Sequence, residues 1–263
     1  MSSDRVRRLS SAGVSYEDRG DGPPVILVHG WCLSAKIWMY LAERLAVRHR
    51  VLVPDLPGFG RSDGLAGPFT LERHADALSD LIEELGLRRP ILVGFAYGAA
   101  AVMILAGRGG GPDLGGIVAI GTPSAAEAPY DRMPRAMRRD WPDFAERSAH
   151  AICKQPQSAA TLRWLAEIFG STPLPTALAT VAELGAFEPV AVAPAIRVPA
   201  LFLHGAEDDI VPVAVSKRCA ELVPGAQLHV LEESGHFPVL DQPARLAEAV
   251  EGFVMTIATA GAA

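Results

Sequence analysis

Ile91-Leu92-Val93-Gly94-Phe95-Ala96-Tyr97-Gly98 is an apolar run that breaks into two glycines at i and i+4 and opens an alanine-rich segment ending near Ala106. The run reads as a buried strand and the segment as a helix. A strand that turns this sharply into a helix strains its central residue, and side chains two positions either way would collide. Gly94 and Gly98 remove those side chains. The turn presents Ala96 at a helix N-terminus, where unpaired amides and the positive end of the helix dipole favour a developing oxyanion. A nucleophile belongs at such a position, and a methyl group is not one. A glycine pair with this spacing also occurs wherever a strand packs closely on a helix, so the rest of the chain has to decide.

Outward from this turn the pattern repeats. Val25–Val28, Val51–Val53, Ile117–Ile120 and Ala200–Leu203 are further unbroken apolar runs, with a shorter strand expected near Gly13–Glu17. Continuous runs, rather than alternation, mean strands covered on both faces, and therefore a mostly parallel sheet. Helix-period segments at Ile37–Ala46, Leu71–Leu85, Val213–Leu222 and Ala244–Val254 lie between and after them. This predicts an α/β fold with a doubly wound sheet. The alternation stops between about Pro123 and Pro189, where helical patches and prolines occur without a convincing strand. Residues 123–189 are therefore expected to form an inserted helical cap on a core of 1–122 and 190–263. Met133, Met137, Trp141, Phe144, Trp164, Phe169 and Phe187 concentrate apolar bulk in the cap, which would roof a pocket beyond the carboxyl ends of the strands. Trp141, Trp164 and Phe237 are the residues expected to line it. The plain alternative for each is packing within the cap or core.

The 263 residues are 49% hydrophobic and 21% charged, enough for a sizeable core, and the formal charge of -6 gives no reason to bind nucleic acid or anionic membrane. Small molecules are the expected partners. Cys32, Cys153 and Cys219 are odd in number and widely spaced, against a disulfide framework or metal cluster, and fit a reducing cytoplasm. No metal or cofactor is called for. Met1–Ser11 is basic without a following apolar stretch, so no secretory signal is read there.

Four segments turn the glycine pair into a site. His29-Gly30-Trp31-Cys32 follows the first central strand, and Asp55-Leu56-Pro57-Gly58-Phe59-Gly60-Arg61-Ser62 follows the second. His29 and the second segment are read as hydrogen-bonding and loop-shaping elements. His204-Gly205-Ala206-Glu207-Asp208-Asp209 and Glu233-Ser234-Gly235-His236-Phe237 end two late strands and offer an acid and a base. A hydroxyl nucleophile at neutral pH needs a histidine to take its proton and a carboxylate to orient that ring.

Together, His29-Gly30, Asp55–Ser62, Gly94–Gly98, Gly205–Pro212 and Gly235-His236 resemble the α/β-hydrolase superfamily nearly end to end. Val28–Ala35 with Trp38 is most similar to the small carboxylesterases that include pimeloyl carrier-protein methyl ester esterases. The resemblance implies Asp208 as acid, with Asp209 the lesser alternative, and His236 as base. It also implies backbone amides of Trp31 and Tyr97 as the oxyanion hole, and a carboxylic ester or lactone as substrate. Ala96 is the departure. The reading favoured is a serine replaced by alanine in an otherwise intact site, because strain and a full constellation are not kept without use. Two alternatives stand beside it: a natural member acting by His–Asp acid/base chemistry, and a non-catalytic ligand-binding homologue. Chemistries needing a carboxylate at the turn are disfavoured.

Overall fold

The parallel strands place their carboxyl ends, and the loops that follow them, along one edge of a single eight-stranded sheet in the computed structural model, which describes residues 6–260. The first five residues of the N-terminal stretch read above for a signal lie outside that range. The strands are β1 (Val6–Leu9), β2 (Ser15–Arg19), β3 (Pro24–Val28), β4 (Arg50–Pro54), β5 (Ile91–Phe95), β6 (Gly116–Ile120), β7 (Ala200–Gly205) and β8 (Gln227–Leu231), in the spatial order β1-β2-β4-β3-β5-β6-β7-β8. From β4 through β8 every pairing is parallel, while β2 joins β4 antiparallel and β1 joins β2 antiparallel. The strand near Gly13–Glu17 begins two residues later than expected. Gly13, at φ +80°, closes a turn onto the Ser10 carbonyl and delays the extended backbone.

Chain order runs outward on both sides of β3: β4 lies on one flank and β5 to β8 on the other. Open α/β sheets bind ligands beside such a reversal, beyond the carboxyl ends of the strands. The strands β5, β6 and β7 are buried throughout, which explains why their sequence does not alternate.

The core helices are α1 (Met39–Leu45), α2 (Leu71–Glu84) and α3 (Tyr97–Gly107) before the insertion. A 3₁₀ turn over Ala35–Trp38 precedes α1, splitting what the sequence suggested as one helix. Thr70 caps α2, its hydroxyl accepting from the Arg73 amide at 3.1 Å. α3 is apolar on all sides and buried over nearly its whole length, as a helix must be when it lies between a sheet and a second helix.

Between β6 and β7 the chain forms α4 (Met133–Arg139), α5 (Trp141–Ala151), α6 (Ala159–Gly170) and α7 (Leu174–Leu184), followed by the short α8 (Pro189–Val192), which packs on α3. Prolines here start helices rather than break them. Pro134, Pro142 and Pro175 sit in first turns, where the missing N–H has no partner to lose. The side chains of Asp140 and Ser158 cap α5 and α6. The fold closes with α9 (Val213–Leu222), α10 (Pro238–Asp241) and α11 (Pro243–Ala260). Among the described residues no single helix is long and apolar enough to cross a membrane.

α2 packs on α3 through a buried polar pair. His74 Nε2 donates to the Pro57 carbonyl at 2.9 Å, and its Nδ1 accepts from the Tyr97 hydroxyl at 2.8 Å. Burial pushes the His74 imidazole down to about 4, and it lowers His29 and His49 as well. The unfolded chain therefore takes up protons as pH falls through about 6.5, while these folded rings do so only later. Stability is expected to hold above pH 7 and to decline from about 6.5 towards 4. In urea melts across that range, His74→Gln should flatten the decline; an unchanged slope would show that this ring is not responsible.

Candidate active site

Ala96 stands at the junction of β5 and α3 with φ +46° and ψ −109°, a backbone that L-residues rarely adopt. The glycines on either side are steric necessities. A Cβ on Gly94 would lie 2.5 Å from the Gly98 carbonyl oxygen, and one on Gly98 would lie 2.5 Å from the Val28 oxygen and closer still to that of His29. The β5–α3 turn is thus pressed directly against the backbone of β3. On the other side the Ala96 amide donates to Ile120 of β6 at 2.8 Å. These contacts hold a conformation that costs on the order of 1–3 kcal/mol in isolation.

The second strained non-glycine near the site is Cys32, at φ +52°, directly after Trp31. Among the described residues neither the Trp31 nor the Tyr97 amide has an acceptor. Tyr97 is the first residue of α3, whose leading N–H groups have no intrahelical partner. Its ring is held by Phe59 and His74 at centroid distances of 6.0 and 5.3 Å. Trp31 is anchored at its other end, with Nε1 donating to the Thr180 hydroxyl of α7 at 3.0 Å.

The acid–base pair comes from the loops after β7 and β8. His236 Nδ1 lies 2.7 Å from Asp208 Oδ2, so the proton sits on Nδ1, and Nε2 is left without a partner among the described residues. The two loops meet backbone to backbone. A Cβ on Gly205 would run into the carbonyls of Ser234 and Gly235, and the amides of Ala206 and Glu207 donate to Leu231 and Ser234 at 2.9 Å. The Asp208 side chain is 1% exposed and accepts the Ile210 and Val211 amides at 2.8 and 2.9 Å on its other oxygen. Burial alone would raise its carboxyl, but the facing His236, the His204 ring and the Val211 amide outweigh that and hold it below the ordinary carboxylate range. Its neighbour Asp209 is 80% exposed and pairs with Lys154 at 3.3 Å. Of the two adjacent acids, only Asp208 reaches His236.

Ala96 and His236 line the same cavity, about 240 Å³, with Trp31, Phe95 and cap residues forming the rest of the wall. Met133, Phe144 and Phe169 from the cap face it; Trp141, Trp164 and Phe237 do not. Trp141 stacks on the outer side of Phe144, with centroids 5.9 Å apart, and donates to the Thr172 carbonyl. Trp164 is half-buried in the packing of α6. Phe237 is fully buried beneath the site, 5.2 Å from the Phe95 ring.

His29, as read from sequence, is a strut: Nε2 accepts from the Leu56 amide at 3.0 Å and Nδ1 donates to the Gly30 carbonyl at 2.9 Å. Asp55 shapes its own loop, accepting from the Ala35 and Arg61 amides. Two residues escaped the sequence reading. His204 is fully buried, with Nε2 3.1 Å from Asp208 Oδ2 and 2.9 Å from the Val211 carbonyl, so a second imidazole donates to the acid. Asp241 accepts the Gly235 amide at 2.8 Å and the Lys154 amide at 3.0 Å, tying the His236 loop to the cap. The histidine one residue before Gly205 was a visible signal; nothing local marked Asp241. Among the described residues no three His, Cys, Asp or Glu side chains gather as metal ligands.

The model of the "Alpha/beta hydrolase family" matches residues 25–249. A pimeloyl-[acyl-carrier protein] methyl ester esterase from Xanthomonas campestris is 28% identical over 270 residues, spanning 90% of this chain and 97% of that one. Among solved structures, a thermophilic esterase from Thermogutta terrifontis superposes with a TM-score of 0.79 at 27% identity, over 97% of this chain and 99% of its own. An esterase from Exiguobacterium antarcticum reaches 0.88 at 20% identity, over 96% and 100%, a likeness of fold alone.

Two substitutions in the turn should move stability in opposite directions. Ala96→Gly, which relieves the positive φ at the cost of chain entropy, is expected to stabilise by about 1 kcal/mol. Gly98→Ala should destabilise by about 3 kcal/mol or more, because only backbone stands in the way of its Cβ. Urea midpoints decide this; a loss of stability in Ala96→Gly would mean the turn is not strained.

Proposed function

The chain belongs to the alpha/beta hydrolase family, and on that premise we propose that its site is that of a carboxylesterase or lactonase in which Ala96 replaces the nucleophilic serine, leaving this chain inactive. The observation that carries the reading is a residue with nothing but a methyl group held at φ +46° on the wall of a cavity it shares with a His236–Asp208 pair. The esterases among its relatives support ester hydrolysis in general.

With a serine at position 96, the hydroxyl attacks the carbonyl carbon of the ester while His236 Nε2 takes its proton. Asp208 keeps that nitrogen free by holding Nδ1–H, and stabilises the imidazolium that forms. The oxyanion is received by the amides of Trp31 and Tyr97, whose N–H groups are unengaged among the described residues. Collapse expels the alcohol, which leaves with the proton from His236, and an acyl-enzyme remains. A water then gives its proton to the same ring and attacks the acyl carbon, releasing the acid and restoring the serine. In Ala96 the first bond cannot form, and loss of the nucleophile from such a triad costs on the order of 10⁶ in turnover. The substrate is a small, largely apolar ester or lactone, to match the cavity wall, and the three free cysteines fit a reducing cytoplasm.

Ala96→Ser is expected to raise p-nitrophenyl acetate hydrolysis by at least about 10⁴ over the present chain. In that background Asp208→Asn should lower kcat about 10⁴-fold. A fluorophosphonate should label the Ala96→Ser protein with a single adduct and leave the present chain unlabelled. A folded Ala96→Ser protein with neither turnover nor adduct would overturn the proposal.

A further inference from the structure

Besides His236 Nε2, which the proposed reaction uses, the cavity wall holds a polar side-chain atom without a partner among the described residues. Tyr130 lies in the loop between β6 and α4, is 8% exposed, and lines the cavity that contains Ala96 and His236. Its backbone is fixed where its N–H donates to the Ala128 carbonyl at 2.8 Å, and the loop is pinned where the Ala125 N–H donates to the Phe187 carbonyl at 2.9 Å. Among the described residues its hydroxyl has no hydrogen-bond partner. It is also absent from the orphaned polar atoms sealed away from solvent, which are Arg19 Nε, Ser34 Oγ, Trp38 Nε1, Thr122 Oγ1 and Thr172 Oγ1. The oxygen is therefore reached by solvent, and the residue that carries it lines the cavity.

Apart from His236 Nε2, the other polar side chains of the wall have partners. The Ser148 hydroxyl donates to the Phe144 carbonyl at 2.8 Å, and Trp31 Nε1 donates to Thr180 at 3.0 Å. Asp209 pairs with Lys154, and His236 with Asp208. Among the described residues no lysine or arginine lines the cavity, so it offers no cation to a substrate carboxylate or phosphate. A buried hydroxyl without a partner is unfavourable, and a site that offers one discriminates against ligands that leave it unpaired.

We propose that the Tyr130 hydroxyl is a substrate-binding group that donates a hydrogen bond to a second oxygen of the substrate. The site then selects neutral esters or lactones whose apolar part carries a keto or ether oxygen apart from the scissile carbonyl. Burial, and after it the nearby Asp208 charge, push the phenol well above its usual range, so it stays protonated and acts as a donor. This assignment deepens the ester-hydrolase reading and rests on it for the class of bond.

The present chain serves as a non-hydrolysing receptor for the test. Calorimetric titration compares ethyl hexanoate with ethyl 3-oxohexanoate, 4-oxohexanoate and 5-oxohexanoate. At least one oxo isomer should bind about 10-fold tighter than the plain ester. Tyr130→Phe should abolish that preference while leaving the Kd of ethyl hexanoate within about 2-fold, since it removes only the hydroxyl. Equal binding of all four esters, no measurable binding of any, or a preference that survives Tyr130→Phe would overturn the assignment. The same preference should appear in kcat/KM of Ala96→Ser. If that protein binds with the Tyr130-dependent preference yet hydrolyses none of the four, the hydrolase reading fails and the Tyr130 assignment stands.

Discussion

The site depends on a close approach between pieces of main chain. Where α3 leaves β5, Gly94 and Gly98 let the first turn of the helix lie against the end of β3, with no side chain between them. That contact fixes Ala96 in its unusual conformation, aligns the free amide of Tyr97 with the loop that carries Trp31, and sets the floor of the cavity. Interiors packed at crystal-like density do not stretch to accommodate even one extra methyl here. The other elements of the site are hung from strands whose spacing follows from the same sheet.

The electrostatic counterpart is one buried anion. Asp208 is surrounded by two imidazoles and two backbone amides, enough donors to keep a carboxylate ionised where burial alone would neutralise it. The adjacent Asp209 shares its sequence context but faces solvent, where its pairing with Lys154 is worth little. Two adjacent carboxylates differ in partners because one loop buries the first and exposes the second.

The scaffold was legible because parallel buried strands write themselves as unbroken apolar runs, and because each site residue follows one of them. Ala96, Asp208 and His236 were placed by their positions after β5, β7 and β8, which needed no knowledge of side-chain direction. The cap resisted for the opposite reason. Whether Trp141 faces the cavity or backs onto Phe144 depends on how α5 rotates against α6, and composition carries no trace of that. Phe237 adjoins His236 in sequence, yet its side chain turns under the sheet edge beside Phe95. Tyr130 drew no notice because it belongs to no motif, and His204 because its partner lies on the far side of a loop.

Trp31 belongs to two parts of the molecule at once. Its main-chain amide has no acceptor among the described residues and is the proposed donor to the oxyanion, while its indole is bolted to Thr180 and Ala177 on α7 and surrounded by Trp141, Phe144 and Phe169. Cap and catalytic floor are therefore mechanically joined through a single residue. Remodelling the roof for a bulkier or longer guest would tug on the same indole, so that on the proposed reading the fit of a guest and the placement of the oxyanion donor cannot be altered separately.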